Sequence, residues 1–340
     1  MPEIRIDQSK FKRFVRIFDR VSGTIEPSMR RVYFYTNLSK LMAYGTDGCL
    51  SIDLELGSID SFDGFYTVPL DDLKLLLREK SEEVRMNFGS NLYISSGTEI
   101  ISILHPLVQN PRKFDRIETE EKIYTSQFKK VLDLGSIISR EGQMIFVGIG
   151  EKLLCASEDY GHTGIAFTEF KGGPFSAEIP YESVRHLVKA LDAVREDKIE
   201  IGYTSGIGIR FSDGMMSICS TPSDIGKINE LLNFEAGDFE IPTKAIKEGS
   251  TLAARFQRRN GGRGYLELSN TMKFIVISAI SAYEYNYPIE CGKMLRVAIS
   301  PMKFQRFFSR LNEKYVKVGI NHEYLVFKGL QSLLIVKIER

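Results

Sequence analysis

A chain of 340 residues exceeds the size of most single hydrophobic cores, so two or three domains are expected. Hydrophobic residues make up 43% and charged residues 26%, ordinary for a soluble globular protein, and no apolar run approaches the roughly 20 residues that span a bilayer. A formal net charge of +1 gives no global sign of a polyanionic partner. The opening Met1-Pro2-Glu3-Ile4-Arg5-Ile6-Asp7 lacks the basic and then apolar regions of a signal peptide, which points to the cytoplasm. Cys49, Cys155, Cys219 and Cys291 lie far apart in apolar runs without zinc spacing. Buried free thiols are therefore expected.

In chain order, Ile4 to Asp7 reads as a short strand ahead of an amphipathic helix over 9–20. Phe11, Phe14, Val15 and Phe18 recur there at i, i+3, i+4 and i+7, on one side of a 3.6-residue helix. Lys12, Arg13, Arg16 and Arg20 fall on the other. Strands are expected at 31–37, 41–44 and 49–56, with Thr46-Asp47-Gly48 as turn chemistry. The run 65–68 enters Pro69 and a helical pattern at 70–78, and strands at 84–88, 92–95 and 99–104 follow. His105 to Glu121, rich in Pro, Asn and charge, reads as a linker.

The same order then restarts. A strand at 122–125 leads to a helix at 126–140, strands at 143–149, 153–157 and 163–170, a strand at 176–179, a helix at 181–194 and three more strands to 220. The segment 221–236 reads as a second connector. A third copy begins at 237, with helices near 243–256 and 301–314, and closes with strands at 315–320, 324–328 and 332–338.

The recurrence is visible residue by residue. Ser9-Lys10-Phe11-Lys12-Arg13-Phe14-Val15 is echoed by Ser126-Gln127-Phe128-Lys129-Lys130-Val131-Leu132. The later helix of each copy has its own template: Val68-Pro69 four residues before Leu73, Ile179-Pro180 before Val184, and Ile299-Ser300 before Phe304. Six half-units spaced by about 55–62 residues define a repeat architecture. The expected fold is α+β, in three domains (1–117, 118–233 and 234–340), each an internally doubled βαβββ unit.

Charge is distributed unevenly over this repeat. The helix windows 9–20, 70–80, 126–140, 181–196, 243–259 and 301–314 carry net charges of +4, 0, +2, 0, +4 and +3, so strands and loops hold a compensating acidic excess. Helices that are basic or neutral and never acidic, if they share one surface, create a field suited to phosphates. No pattern suggests reading of base edges, so contact would be with the nucleic-acid backbone, independent of sequence.

These residues resemble the bacterial sliding-clamp family, the beta subunit of DNA polymerase III. Clamp domains are doubled βαβββ units, three per chain, with an apolar residue or proline ahead of the second helix, as in Val68-Pro69, Ile179-Pro180 and Ile299-Ser300-Pro301. Gly45-Thr46-Asp47-Gly48 is similar to the family's turn of TDG character. Ala156-Ser157-Glu158-Asp159-Tyr160-Gly161-His162-Thr163-Gly164-Ile165-Ala166 is similar to its ATDGHRLA segment. The resemblance implies a DNA-clamp fold closed into a ring by a head-to-tail homodimer. Such a ring encircles double-stranded DNA and tethers a DNA polymerase catalytic subunit, with a clamp loader as a further partner, no cofactor, no catalysis and no membrane. It places Lys10, Lys12, Arg13, Arg16 and Arg20 on the DNA-facing surface, followed by Lys129, Lys130, Lys303, Arg306 and Arg310. It implies a hydrophobic partner-peptide pocket at Gly161, His162, Ile165, Val336 and Ile338, and a dimer contact through Ile101, Ile103 and Leu252. The chain departs from the family at Thr221-Pro222-Ser223-Asp224-Ile225, where an FPDY-like segment is usual. It departs again at the end, Val336-Lys337-Ile338-Glu339-Arg340, in place of a tail resembling MPMRL.

Other chemistry finds little support. His105, His162, His186 and His322 are scattered without metal-ligand spacing. Asn260-Gly261-Gly262-Arg263-Gly264 lacks the Lys-Ser/Thr of a phosphate loop and reads as a hairpin connector. Asp71-Asp72 sits at a helix start, where it complements the dipole. Two other readings stay open: a clamp-fold paralogue with a changed partner and little DNA role, and a small-molecule enzyme on a duplicated α+β fold.

Overall fold

The first helix, α1 (Gln8–Val21), shows how the local sequence sets the architecture. Asp7 caps it, its carboxylate accepting from the amides of Ser9 at 2.7 Å and Lys10 at 3.2 Å. The Ser9 hydroxyl, which also donates to this carboxylate, and then those two amides hold the Asp7 carboxyl below its ordinary value. Phe11, Phe14, Val15 and Phe18 are buried as the spacing predicts. Phe14 lies against Phe18 at 4.9 Å and Phe34 at 6.0 Å between ring centroids. Each buried ring contributes about 1.5–3 kcal/mol of hydrophobic stabilisation. Gly45 permits the close approach of helix and sheet, since a Cβ there would lie 2.5 Å from the Phe18 ring.

The structure is a computed structural model that describes all residues except Met1, 23–28, 79–80, His105, 112–116, Ile225, Glu235 and 339–340, and except the side chain of Lys227. His105, Ile225 and the tail residues Glu339 and Arg340, singled out in the sequence, therefore lie outside the described residues, as does the end of the 70–80 window. The remaining helices are α2 (Leu70–Leu75), continued by a 3-10 turn to Arg78, α3 (Thr125–Gly135), α4 (Tyr181–Leu191), α5 (Gly226–Leu232), α6 (Thr243–Asn260) and α7 (Pro301–Ser309). Pro69 and Pro242 stand at the N-caps of α2 and α6, and Pro301 opens α7, positions where a missing N–H leaves nothing unpaired.

The chain divides into two compact units, Met1–Lys129 with Glu182–Pro222, and Lys130–Tyr181 with Ser223–Arg340. In the first, Glu3–Asp7, Glu83–Phe88, Asn91–Ser96 and Glu99–Leu104 form a four-stranded sheet in that order. A nine-stranded sheet runs Glu121–Tyr124, Lys198–Tyr203, Gly206–Phe211, Gly214–Cys219, Leu50–Ser58, Lys40–Thr46, Arg31–Asn37, Phe65–Pro69, Leu107–Val108. Its central junction pairs Gly214 with Leu54 and Ile218 with Leu50. In the second unit, Phe175–Pro180, Met144–Ile149, Lys152–Asp159, His162–Glu169, Ser332–Lys337, Tyr324–Lys328, Tyr315–Ile320 and Phe239–Pro242 follow one another in a long sheet. Ala282–Pro288, Thr271–Ile277, Arg263–Leu268 and Leu295–Ile299 form a smaller one. Here α6 packs against α7, and Phe304, Phe307 and Phe308 are buried beside Phe274 and Phe327.

Among the described residues the strand–helix–three-strand order occurs six times, as the repeat predicts. The two halves of each copy are joined by exchange: the strand that opens one half pairs antiparallel with the first strand after the helix of the other. Glu3–Asp7 thus pairs with Glu83–Phe88 and Phe65–Pro69 with Arg31–Asn37. The same exchange joins Glu121–Tyr124 to Lys198–Tyr203 and Phe175–Pro180 to Met144–Ile149. It recurs between Phe239–Pro242 and Tyr315–Ile320 and between Leu295–Ile299 and Arg263–Leu268.

Three expectations are corrected. Cys49 and Cys219 are not free thiols but a disulfide, with Cα atoms 5.0 Å apart and 170 residues between them in sequence; Cys155 and Cys291 are free and buried as expected. The pairing of Leu50–Ser58 with Gly214–Cys219 brings the two sulfurs together, a contact that no local pattern encodes. Each connector also holds a regular element among its described residues. The first holds the short strand Leu107–Val108, and the second holds α5, whose Ile228 and Leu231 join a core cluster with Leu154, Ile165 and Leu333. Finally, Asn260-Gly261-Gly262-Arg263-Gly264 joins α6 to a strand rather than two strands, with Gly261 at φ 67° and Gly262 at φ 100° ending the helix.

Candidate functional site

The basic residues assigned to the DNA-facing surface separate into two groups. Arg13 donates from Nε to the Ala193 carbonyl at 2.9 Å and forks onto Asp213, with a second contact from Nη2 at 3.2 Å. Its side chain is 16% exposed. Arg20 donates to the Lys189 carbonyl and lies 3.9 Å from Asp192, which also accepts from Lys129. Lys10 donates to the Leu56 carbonyl at 2.9 Å, Arg310 pairs with Asp133 at 2.9 Å, and Lys303 pairs with Asp159 at 2.9 Å. These charges are largely answered within the protein. Lys12, Arg16, Lys130 and Arg306 have no ion pair among the described residues; Lys12 is half-buried and the other three are exposed.

Arg306 and Lys303 belong to a different constellation. With Arg140, Tyr160, His162 and Lys337 they border a cavity of about 490 Å³ floored by Ile138, Ala298, Ile299 and Met302. The turn at its rim is the tight hairpin between Lys152–Asp159 and His162–Glu169. Tyr160 at φ 44° and Gly161 at φ 70° are its central residues, the two positive φ values of a type I′ turn. Tyr160 is thereby turned outward, 76% exposed. Arg140 stacks over its ring at 4.8 Å and donates to its hydroxyl at 2.7 Å, while the Lys303 ammonium lies 5.4 Å from the ring centroid.

Behind the turn, burial acts against charge. His162 is buried, and burial pushes its pKa down to about 4. Its Nδ1 faces the Tyr160 carbonyl at 2.9 Å, so Nδ1 carries the proton and donates. Nε2 accepts from the Ser300 amide at 3.1 Å. Burial also lowers Lys303, with the pairing to Asp159 offsetting part of the shift. Burial opposes ionisation of Asp159, but hydrogen bonds from Lys303 and from Gln143 Nε2 at 2.8 Å hold its carboxyl below the ordinary value.

The resemblance places five residues in a pocket, and the structure separates them. Gly161 and His162 line the cavity. Ile165 and Val336 are 0% and 1% exposed and pack inside the sheet, because His162–Glu169 and Ser332–Lys337 are neighbouring strands. Ile338 follows the last strand and is half-buried, its amide bonded to the Glu323 carbonyl at 2.7 Å. The polar lining contributed by Arg140, Lys303, Arg306 and Lys337 lies outside that hydrophobic expectation. Lys303 and Arg306 stand three residues apart on α7, but Arg140 and Lys337 come from separate stretches of chain that no spacing rule links to them.

Of the dimer candidates, Ile101 and Ile103 are half-buried on the edge strand Glu99–Leu104, opposite the buried Ile94 and Leu92. The exposed apolar residues of that strand are their alternates, Ile100 at 69% and Leu104 at 66%. Leu252 is half-buried on α6. The Thr46-Asp47-Gly48 turn also carries more than turn chemistry. Asp47 Oδ1 accepts from the amides of Cys49 at 2.8 Å and Leu50 at 2.6 Å, while Oδ2 meets Ser183 Oγ at 3.1 Å and His186 Nδ1 at 2.8 Å. Among the described residues no group of three His, Cys, Asp or Glu is placed to hold a metal, and no helix is long and apolar enough to cross a membrane.

The doubled βαβββ units and their exchanged strands define the DNA-clamp fold. No protein-family model matches the sequence, nor does any curated protein. Solved structures match along the full length. The DNA polymerase III beta subunit of Thermotoga maritima superposes with a TM-score of 0.84 at 14% identity, covering 100% of each chain. The DNA polymerase sliding clamp of Bacillus subtilis gives 0.83 at 12%, covering 100% of this chain and 99% of that one. That of Pseudomonas aeruginosa gives 0.81 at 13%, covering 100% of both.

Proposed function

We propose that this chain is a sliding clamp: a non-catalytic ring of two head-to-tail copies that encircles duplex DNA without reading its sequence. On this reading it tethers a polymerase and meets a clamp loader in the cytoplasm, and the repeat boundaries near 117 and 233 delimit three clamp domains. The observation that carries the proposal is the full-length likeness to solved sliding clamps, which holds at 12–14% sequence identity. Two further features support it. The strands Glu99–Leu104 and Ala282–Pro288 each end a four-stranded sheet, and an unpaired edge bearing exposed Ile100 and Leu104 is an open strand-pairing site. A head-to-tail contact between two different edges closes into a ring if the rotation closes. Lys12, Arg16 and Lys130, with no ion pair among the described residues, are the cations best placed to meet phosphates, while Arg13, Arg20 and Lys129 serve first to hold the protein together.

Retention on DNA tests the reading. After loading, a ring stays on nicked circular DNA in high salt and is lost when the circle is linearised. Equal loss from both forms would remove the topological mechanism.

A further inference from the structure

Two strand ladders join successive copies of the repeat, and they are built alike. The first pairs Gly214–Cys219 with Leu50–Ser58, from Gly214 opposite Leu54 to Ile218 opposite Leu50. The second pairs Ser332–Lys337 with His162–Glu169, from Ser332 opposite Ala166 to Val336 opposite His162. Each ends on one further backbone link, the Cys219 amide to the Cys49 carbonyl at 3.1 Å and the Lys337 amide to the Gly161 carbonyl at 2.8 Å. Aligning the ladders by register therefore sets Gly161 and Lys337 where Cys49 and Cys219 stand. The second ladder closes on a glycine at that place, so a covalent link is no requirement of the fold.

Cys49 and Cys219 are also positioned by bonds that do not involve their sulfurs. The Asp47 carboxylate fixes the Cys49 and Leu50 amides, and its side chain is 0% exposed beneath Ser183 and His186. The Cys219 amide is fixed by the ladder itself. Two Cα atoms kept 5.0 Å apart by such contacts suit a disulfide, and they suit a pair of thiols without movement of the chain. Access to the two is unequal, since Cys49 is 7% exposed and Cys219 is half-buried. Cys155 and Cys291 are free but buried, and neither lies in the compact unit that holds this pair. Exchange chemistry is thereby confined to one pair of sulfurs.

We propose that Cys49 and Cys219 form a reversible redox latch on the first ladder, opened in the folded chain by a dithiol that attacks Cys219 Sγ. The attacking thiolate bonds to Cys219 Sγ as the Cys49–Cys219 bond breaks, and the electron pair leaves on Cys49 Sγ, which takes up a proton. The reagent's second thiolate then attacks its own bonded sulfur, closing the reagent's disulfide and releasing Cys219, which is protonated in turn. Two electrons and two protons pass to the protein, and the reverse steps with the oxidised reagent restore the bond. The inference goes beyond the clamp reading and rests on it only for a reducing compartment, where such a bond is made and broken rather than permanent. Oxidised, the first ladder cannot part at its Cys49 end. Reduced, it is held as the second ladder is, by backbone bonds.

The test uses the full chain without DNA, with dithiothreitol and its oxidised form as the probe pair. Thiols counted after acid quenching and denaturation should rise from two to four on reduction and return to two on reoxidation, with circular dichroism unchanged throughout. Hydrogen exchange should quicken about tenfold or more on reduction at residues 50–54 and 214–218, and by less than about twofold at 162–166 and 332–336. Cys49→Ser, which leaves Cys219 as a free thiol, should take up oxidised glutathione about tenfold faster than Cys219→Ser. Reduction that needs denaturant, equal quickening of both ladders, or equal uptake by the two variants overturns the proposal. Should either variant fail to fold, the first two measurements on the unaltered protein decide it. Loss of DNA retention would remove the clamp reading and leave this latch standing, whereas a failed redox cycle removes the latch and leaves the clamp reading.

Discussion

The disulfide between Cys49 and Cys219 makes a quantitative prediction. Replacing both residues with alanine opens a loop closed over a sequence separation of 170. Loop-closure entropy for that length amounts to about 5 kcal/mol of stabilisation, and measured disulfides more often deliver about 2–4 kcal/mol. The bond caps the ladder between Gly214–Cys219 and Leu50–Ser58, whose last backbone link, from the Cys219 amide to the Cys49 carbonyl at 3.1 Å, persists without it. The loss should therefore fall on the unfolded chain rather than on the native ladder. Since the chain has no tryptophan, guanidinium unfolding is best followed by circular dichroism. The double variant should unfold at a lower midpoint by an amount worth about 2–5 kcal/mol, and reductant should bring the unaltered protein down to the same curve. Thiol titration of the denatured, unreduced chain should count two groups, Cys155 and Cys291, and four after reduction. Four thiols before reduction, or a midpoint indifferent to reductant, would refute the reasoning.

Other consequences follow from the same structure. Arg13→Ala should cost about 1–3 kcal/mol, because it leaves Asp213 and the Ala193 carbonyl without their partly buried donor. Arg16→Ala and Lys130→Ala should leave the melting temperature within a degree or two, yet each should flatten the salt dependence of DNA binding by about 0.9 in the log–log slope. His162, held near pKa 4 against 6.5 when exposed, binds its proton more readily in the unfolded chain. Stability should be fully present above pH 6.5 and should decline as pH falls from 6.5 towards 4, by roughly 3 kcal/mol in all. His162→Gln should remove that decline, measured by denaturant midpoints across the range. Leu104→Lys on the exposed edge strand should shift sedimentation from dimer to monomer, and an unchanged dimer would place the contact elsewhere.

The fold was more legible than the site, for a physical reason. Helix and strand periodicities are local, so the Phe11–Phe18 ridge, the Pro69, Pro242 and Pro301 helix starts and the six-fold recurrence could be read directly. What a charge does depends on its partner, and the partners are remote. Arg13 meets Asp213 and Arg310 meets Asp133 across most of the chain, so identical basic positions on the helical template divide into structural and free cations that look alike in sequence. The disulfide and the cationic cavity were hidden in the same way, each assembled by sheet pairing between distant strands. The half-turn signature at Tyr160-Gly161 was present, but an aromatic residue in a left-handed position gives no hint of the arginine and lysine gathered around it.

The exchanged strands also impose an order on how the protein comes into being. Glu3–Asp7 leaves the ribosome well before its partner strand, since Ile4 pairs with Met86, which follows roughly 80 residues later. Until then its apolar residues have no ladder to join, and the nascent chain presents an open strand edge. The same wait recurs for Glu121–Tyr124 and for Phe239–Pro242. Each copy therefore closes as a whole or not at all, and a chain cut between its halves would expose two orphan strands that neighbouring copies could capture.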